Sequence, residues 1–137
     1  MKIALLGNPN TGKSTIFNLL TGLKQHVGNF PGVTVDKKTG ILKTEDRSIE
    51  VVDFPGTYSI YPRSKDEEVV YNVLSNPADQ NYPDALLVIV DASNLRRNLL
   101  LFTQMYDLGL PIVLVLNMTD IAERKNKSVN IEKLKEK

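Results

Sequence analysis

Apolar positions along this chain follow two rhythms, a short unbroken run and a helical spacing, and they alternate. Residues 2–6 form a compact apolar run that stops at Gly7, the pattern of a buried strand. Residues 7–12 are rich in Gly, Asn and Pro and predict a loop. Within residues 13–21, Ile16, Phe17, Leu19 and Leu20 recur at helical spacing, and Gly22 supplies the stop. Residues 25–34 hold two glycines and a proline and read as irregular. Residues 39–44 and 48–53 are β-like runs around Glu45-Asp46-Arg47, a predicted hairpin. Residues 54–63 are a loop, and Ser64-Lys65-Asp66-Glu67 is a capping-box pattern that starts a helix to about Leu74. Residues 76–83 are turn-rich, and 85–91 form a continuous Leu/Val/Ile strand. Residues 95–108 predict a helix with Leu99, Phe102, Met105 and Tyr106 for one face. Another strand over 112–117 and a charged helix over 131–137 follow.

Strands alternating with helices imply an α/β fold with a mostly parallel sheet covered on both faces. Such sheets bind ligands beyond the carboxyl ends of their strands. Unusual polar residues follow three strand ends, at 7–14, 53–56 and 117–120. The three loops are therefore expected to meet on one edge.

Composition narrows the classes without choosing among them. The 137 residues suit one domain, and 42% hydrophobic with 24% charged residues is ordinary for a globular chain. The longest apolar runs, 85–90 and 112–116, are far shorter than a membrane helix requires. The N-terminal run breaks at Gly7, too early for a signal peptide. A formal net charge of +1 gives no global pull towards nucleic acid or an anionic membrane. No cysteine is present and His26 is the only histidine, so thiolate chemistry and a histidine metal cluster are excluded. The cysteine count also fits a reducing compartment.

Gly7-Asn8-Pro9-Asn10-Thr11-Gly12-Lys13-Ser14, with Thr15 next, fits GxxxxGK[ST] between a strand and a helix. Glycines let successive backbone N–H groups curl inward at phosphate oxygens, and the helix adds its N-terminal donors. Lys13 would set a point charge at the β- and γ-phosphates, and Ser14 a hard oxygen ligand for Mg²⁺. Asp53-Phe54-Pro55-Gly56 is a DxxG after a β-run. Its Asp can hold an Mg²⁺-bound water and its Gly N–H can approach the γ-phosphate. Asn117-Met118-Thr119-Asp120 follows the last strong strand. Guanine presents N1–H and its 2-amino group as adjacent donors, which one carboxylate accepts together; adenine has no such edge. Asp120 is thus the predicted base reader, and Asn117 is expected to contact the base and brace the phosphate loop. Thr34 lies in the loop before the hairpin and is the candidate switch threonine on Mg²⁺.

Several segments together resemble the cytosolic G domain of FeoB-type ferrous-iron transporters, across nearly the whole chain. They are residues 7–18, Val27-Gly28-Asn29-Phe30-Pro31-Gly32-Val33-Thr34-Val35, residues 53–59, Asp91-Ala92-Ser93-Asn94-Leu95-Arg96-Arg97-Asn98-Leu99, and the Asn117-Met118 pair. The resemblance implies a Ras-like P-loop GTPase fold that binds GTP and GDP with Mg²⁺ and hydrolyses GTP slowly. Lys13, Thr34, Gly56 and Asn10 would be its catalytic residues, and Asn10 would hold K⁺ against the phosphates. It also implies a place at the cytoplasmic face of a bacterial inner membrane, with helical regulatory and transmembrane parts in the same protein.

Thr57 stands where many small GTPases carry a water-positioning Gln, so slow turnover is expected. The backbone of the Thr34 loop, Thr57 or Glu67 are alternative water holders, Glu67 being first of all the capping partner of Ser64. By comparison with a six-stranded Ras-like sheet, residues 1–137 are expected to form a G domain lacking the last strand and helix, with self-association a further expectation. His26, with no carboxylate pair beside it, is a poor iron site. Arg96, Arg97 and the basic stretch over 124–137 read as solvated helix surface. Two other functions compete: a GTPase acting on RNA or ribosomes, for which no basic–aromatic patch is found, and a nucleotide-binding interaction module inactive as a fragment.

Overall fold

The computed structural model describes residues 1–22, 24–127 and 129–136. Its strands are β1 (Lys2–Gly7), β2 (Gln25–Asn29), β3 (Asp36–Lys43), β4 (Ser48–Asp53), β5 (Ala85–Asp91) and β6 (Ile112–Asn117). They form one sheet in the order β2-β3-β4-β1-β5-β6. β1 pairs in parallel with β4 and β5, and β5 with β6, while β3 runs antiparallel to both β2 and β4. The helices are α1 (Lys13–Thr21), α2 (Lys65–Leu74), α3 (Leu95–Tyr106), α4 (Thr119–Arg124) and α5 (Ile131–Glu136). Lys137, the expected end of the last helix, lies outside the described residues.

Side-chain alternation along the central strands fills both faces. Ala4 and Leu6 of β1, Val52 of β4 and Leu86, Val88 and Val90 of β5 pack with Val69, Val70, Val73 and Leu74 of α2 and Leu101 and Met105 of α3. Leu5, Val51 and Ile89 turn the other way and pack with Phe17 of α1. Burial on both sides is why these strands read as unbroken apolar runs.

Local rules set the helix ends. Ser64 caps α2 by accepting from the Glu67 backbone N–H, and Asp66, Glu67 and Glu68 in the first turn favour the helix dipole. Gly22 closes α1 at φ 65°, its N–H donating to the Asn18 carbonyl.

Three expectations need correction. Residues 25–29 are not irregular but form β2, an edge strand whose five residues are all exposed. It is held by backbone pairing to β3, so no apolar alternation announces it. β3 begins at Asp36, three residues before the predicted hairpin arm. The buried stripe of α3 runs through Asn98, Leu101 and Met105, and Tyr106 is exposed rather than core.

Candidate functional site

The parallel strands deliver all three motif loops to the same edge. β1 ends at Gly7, β4 at Asp53 and β6 at Asn117. Backbone bonds knit the loops together: the Phe54 N–H donates to the Leu5 carbonyl at 3.1 Å and the Thr57 N–H to the Gly7 carbonyl at 3.0 Å. The DxxG segment is thereby laid against the phosphate loop. Gly56 lies so close to Pro9 that a Cβ there would sit 3.2 Å from Pro9 backbone atoms.

The phosphate loop curls through two left-handed residues, Asn10 at φ 64° and Gly12 at φ 85°. The Thr11 hydroxyl donates to the Asn8 carbonyl at 3.0 Å inside the curl. Asn8 is buried, and neither atom of its side-chain amide has a hydrogen-bond partner among the described residues. Asn8, Pro9, Asn10, Gly12, Lys13, Ser14, Thr15 and Gly56 line a cavity of about 390 Å³. Asn10, Ser14 and Thr15 are exposed there.

A second cavity, of about 300 Å³, adjoins it through Lys13. Thr34, Asp53 and Asp66 line it as well. The Lys13 ammonium is ion-paired with the Asp53 carboxylate, both side chains being nearly buried. Thr34 reaches this cavity because its loop is pinned at both ends. The Phe30 N–H donates to the Val35 carbonyl at 3.0 Å, and both side chains are buried in the core. The Phe30 ring sits 5.4 Å from that of Phe54.

On the third loop, the Asn117 amide donates to the Thr11 carbonyl at 2.7 Å across 106 residues of sequence. The expected brace of the phosphate loop is in place. Met118 turns the chain at φ 58° into α4, a helix the apolar pattern did not predict, and Asp120 is exposed in its first turn. The 91–99 run is a local hydrogen-bond unit. Buried Asn98 accepts from the Asp91 N–H and donates to the Asn94 carbonyl, Asp91 accepts from the Ser93 N–H and hydroxyl, and the Lys127 ammonium ties the Ser93 carbonyl to the end of α4.

Two of the alternative water holders point elsewhere. Thr57 is fully buried and its hydroxyl donates to the Ser59 carbonyl at 2.6 Å. The Glu67 carboxylate accepts from the N–H of Arg63, the residue before the Ser64 cap, at 2.9 Å, so it is held at the helix start rather than on Ser64 itself. The α2 carboxylate lining the Thr34 cavity is instead Asp66, one position earlier, where only the phase of the helix distinguishes it. Beyond Thr57, the side-chain oxygen of Gln104 on α3 accepts from the Ser59 hydroxyl at 3.0 Å and the Ile60 N–H at 2.8 Å, and Arg97 lies 4.5 Å from the centroid of the Tyr58 ring. Another cavity, of about 860 Å³, lies between α1 and the β2–β3 hairpin, away from every motif.

Chemically, the donor set suits a polyphosphate with a hard cation. The curled loop and the Lys13 ammonium offer donors of the kind phosphate oxygens accept, and Ser14, Thr34 and Asp53 offer hydroxyl and carboxylate oxygens of the kind Mg²⁺ selects. Among the described residues no group of three or more His, Cys, Asp or Glu is placed to hold a metal ion. No described helix is long and apolar enough to cross a membrane.

The model of the family "Ferrous iron transport protein B" matches residues 1–137. The chain is 47% identical over 139 residues to the Fe(2+) transporter FeoB of Escherichia coli (strain K12), covering 98% of this chain and 17% of that protein. It thus spans a minor part of the curated relatives it matches. The cytosolic domain of L. pneumophila FeoB superposes with a TM-score of 0.91 at 43% identity, over 99% of this chain and 53% of that one. A point mutant of S. thermophilus NFeoB bound to GDP superposes with a TM-score of 0.86 at 44% identity, over 98% and 51%. The chain belongs to the ferrous iron transport protein B family, and its fold is the Ras-like P-loop GTPase fold of that family's G domains.

Proposed function

We propose that residues 1–137 are a GTP-binding G domain, hydrolysing GTP slowly to GDP and phosphate, that regulates ferrous iron uptake by a larger membrane protein. The observation that carries this reading is the Asn117–Thr11 hydrogen bond, which joins the base loop to the phosphate loop across 106 residues of sequence. In this reading Lys13 and the amides of residues 7–15 grip the phosphates, and Asp120 accepts the two adjacent guanine N–H groups. The Asn117 amide fixes the two subsites relative to each other. Gly56 keeps its N–H open to the γ-phosphate, and Thr34, carried by the Phe30–Val35 anchor, closes on the cation side.

Mg²⁺ held by Ser14, Thr34 and Asp53, and K⁺ held by Asn10, would supply positive charge against the phosphate oxygens as negative charge builds there. Asn10 suits that role: it is exposed on the 390 Å³ cavity, and its side chain makes no hydrogen bond among the described residues. Thr57 turns its hydroxyl into the protein, leaving no side-chain amide at its position to orient water, and turnover is slow. The helical and transmembrane parts of the full-length transporter are the proposed partners, at the cytoplasmic face of a bacterial inner membrane.

Calorimetry with Mg²⁺ tests the binding: GDP and GTP associate and ATP does not. Hydrolysis is then compared in KCl and NaCl, with a faster rate in KCl that Asn10→Ala abolishes. No guanine nucleotide binding at millimolar levels, or a preference for ATP, overturns the reading.

A further inference from the structure

Lys13 is asked to serve two anions. In this structure its ammonium is paired with Asp53, yet nucleotide phosphates call for the same group. One ammonium cannot stay on the carboxylate and turn to the β- and γ-phosphates. When it leaves, magnesium would take up the Asp53 charge through one oxygen, and the other oxygen of this nearly buried carboxylate needs a donor of its own.

The sheet register supplies one. Lys38 on β3 lies directly opposite Asp53 on β4. Opposed residues of an antiparallel pair project to the same face with Cβ atoms about 5 Å apart, well within reach of a lysine. Lys38 is half-buried and lines the same 300 Å³ cavity as Lys13, Thr34 and Asp53. Among the described residues no carboxylate lies within 4.0 Å of its ammonium. Neighbouring Lys37 projects to the opposite face and does not line the cavity.

We propose that Lys38 is a positioning residue that receives the Asp53 carboxylate when Lys13 turns to the nucleotide, holding it in the orientation that serves magnesium. This rests on the nucleotide-binding reading above. Partners that orient metal ligands typically matter 10- to 100-fold in metal affinity, so loss of the Lys38 charge should act on the magnesium requirement rather than on the nucleotide itself.

The test titrates Mg²⁺ into the 137-residue chain with a fluorescent N-methylanthraniloyl-GDP, and measures its affinity separately in EDTA. Lys38→Met keeps the aliphatic stem and removes the charge. It should raise the Mg²⁺ half-point about tenfold or more and leave the EDTA affinity within about twofold. Lys38→Arg should restore most of the loss, and Lys37→Met should behave as wild type. Unfolding curves check that each variant is folded. An unchanged half-point in folded Lys38→Met overturns the proposal, as does equal weakening with and without Mg²⁺. Failure of the wild-type chain to bind the probe sinks the nucleotide reading itself, a different and separable result.

Discussion

Gly12→Ala tests the junction between the base loop and the phosphate loop. Gly12 sits at φ 85°, and a methyl there would lie 2.2 Å from Asn117 Nδ2. The amide is the far end of a side chain, so it moves before any backbone does. In moving it gives up its 2.7 Å bond to the Thr11 carbonyl. Two costs follow. A left-handed alanine costs roughly 1–2 kcal/mol. Losing a part-buried hydrogen bond costs about 1 kcal/mol, rising to about 3 if the carbonyl finds no water. The sum is about 2–5 kcal/mol. Gly109→Ala isolates the first cost, because Gly109 has φ 79° with nothing within 4 Å of the added Cβ, so it should lose only about 1–2 kcal/mol. Urea unfolding of Gly12→Ala, Asn117→Ala and the double variant completes a cycle. In the Asn117→Ala background, Gly12→Ala should cost no more than the Gly109 control. If it costs as much there as in the wild type, the Cβ does not act through Asn117 and the reasoning fails.

Asp120→Asn should move nucleotide preference from guanosine towards xanthosine, since an amide complements xanthine where a carboxylate complements guanine. Competition between GDP and XDP checks this, and an unchanged ratio would displace Asp120 from the base site. Thr57→Val keeps shape but removes the buried hydroxyl that donates to the Ser59 carbonyl. Unfolding should show a loss of about 1–3 kcal/mol, while GTP turnover in the folded fraction changes by less than a few-fold. A collapse of turnover at unchanged stability would restore Thr57 as a water holder.

What could be read from the sequence was what is encoded locally. The phosphate loop, the DxxG segment and the Asn117–Asp120 loop are contiguous motifs, and each follows a strand whose apolar run stops where the strand stops. The Ser64 cap is equally local: its hydroxyl accepts from the Glu67 N–H as expected, while the Glu67 carboxylate reaches one residue farther back, to the Arg63 N–H. Non-local pairing was not legible. β2 has no buried residue to mark it and exists only because β3 offers it a backbone ladder. Phe30 reads as a loop aromatic until Phe54 is placed against it. Lys38 is one of two adjacent lysines, and only the register with Asp53 tells them apart. Asp66 and Glu67 are likewise interchangeable to composition, but the helix turns one to the Thr34 cavity and spends the other on its cap.

The grip of Gln104 on the Ser59–Ile60 segment has a mechanical consequence. Both donors converge on a single oxygen atom of α3, so displacing the Gln104 side chain removes both bonds at once. With Arg97 stacked on Tyr58 one residue earlier, the strap behind the DxxG loop is bolted to a rigid rod at successive residues. A rearrangement that pulls this strap therefore has to break these contacts or carry α3 with it, which ties the phosphate end to residues 97–104.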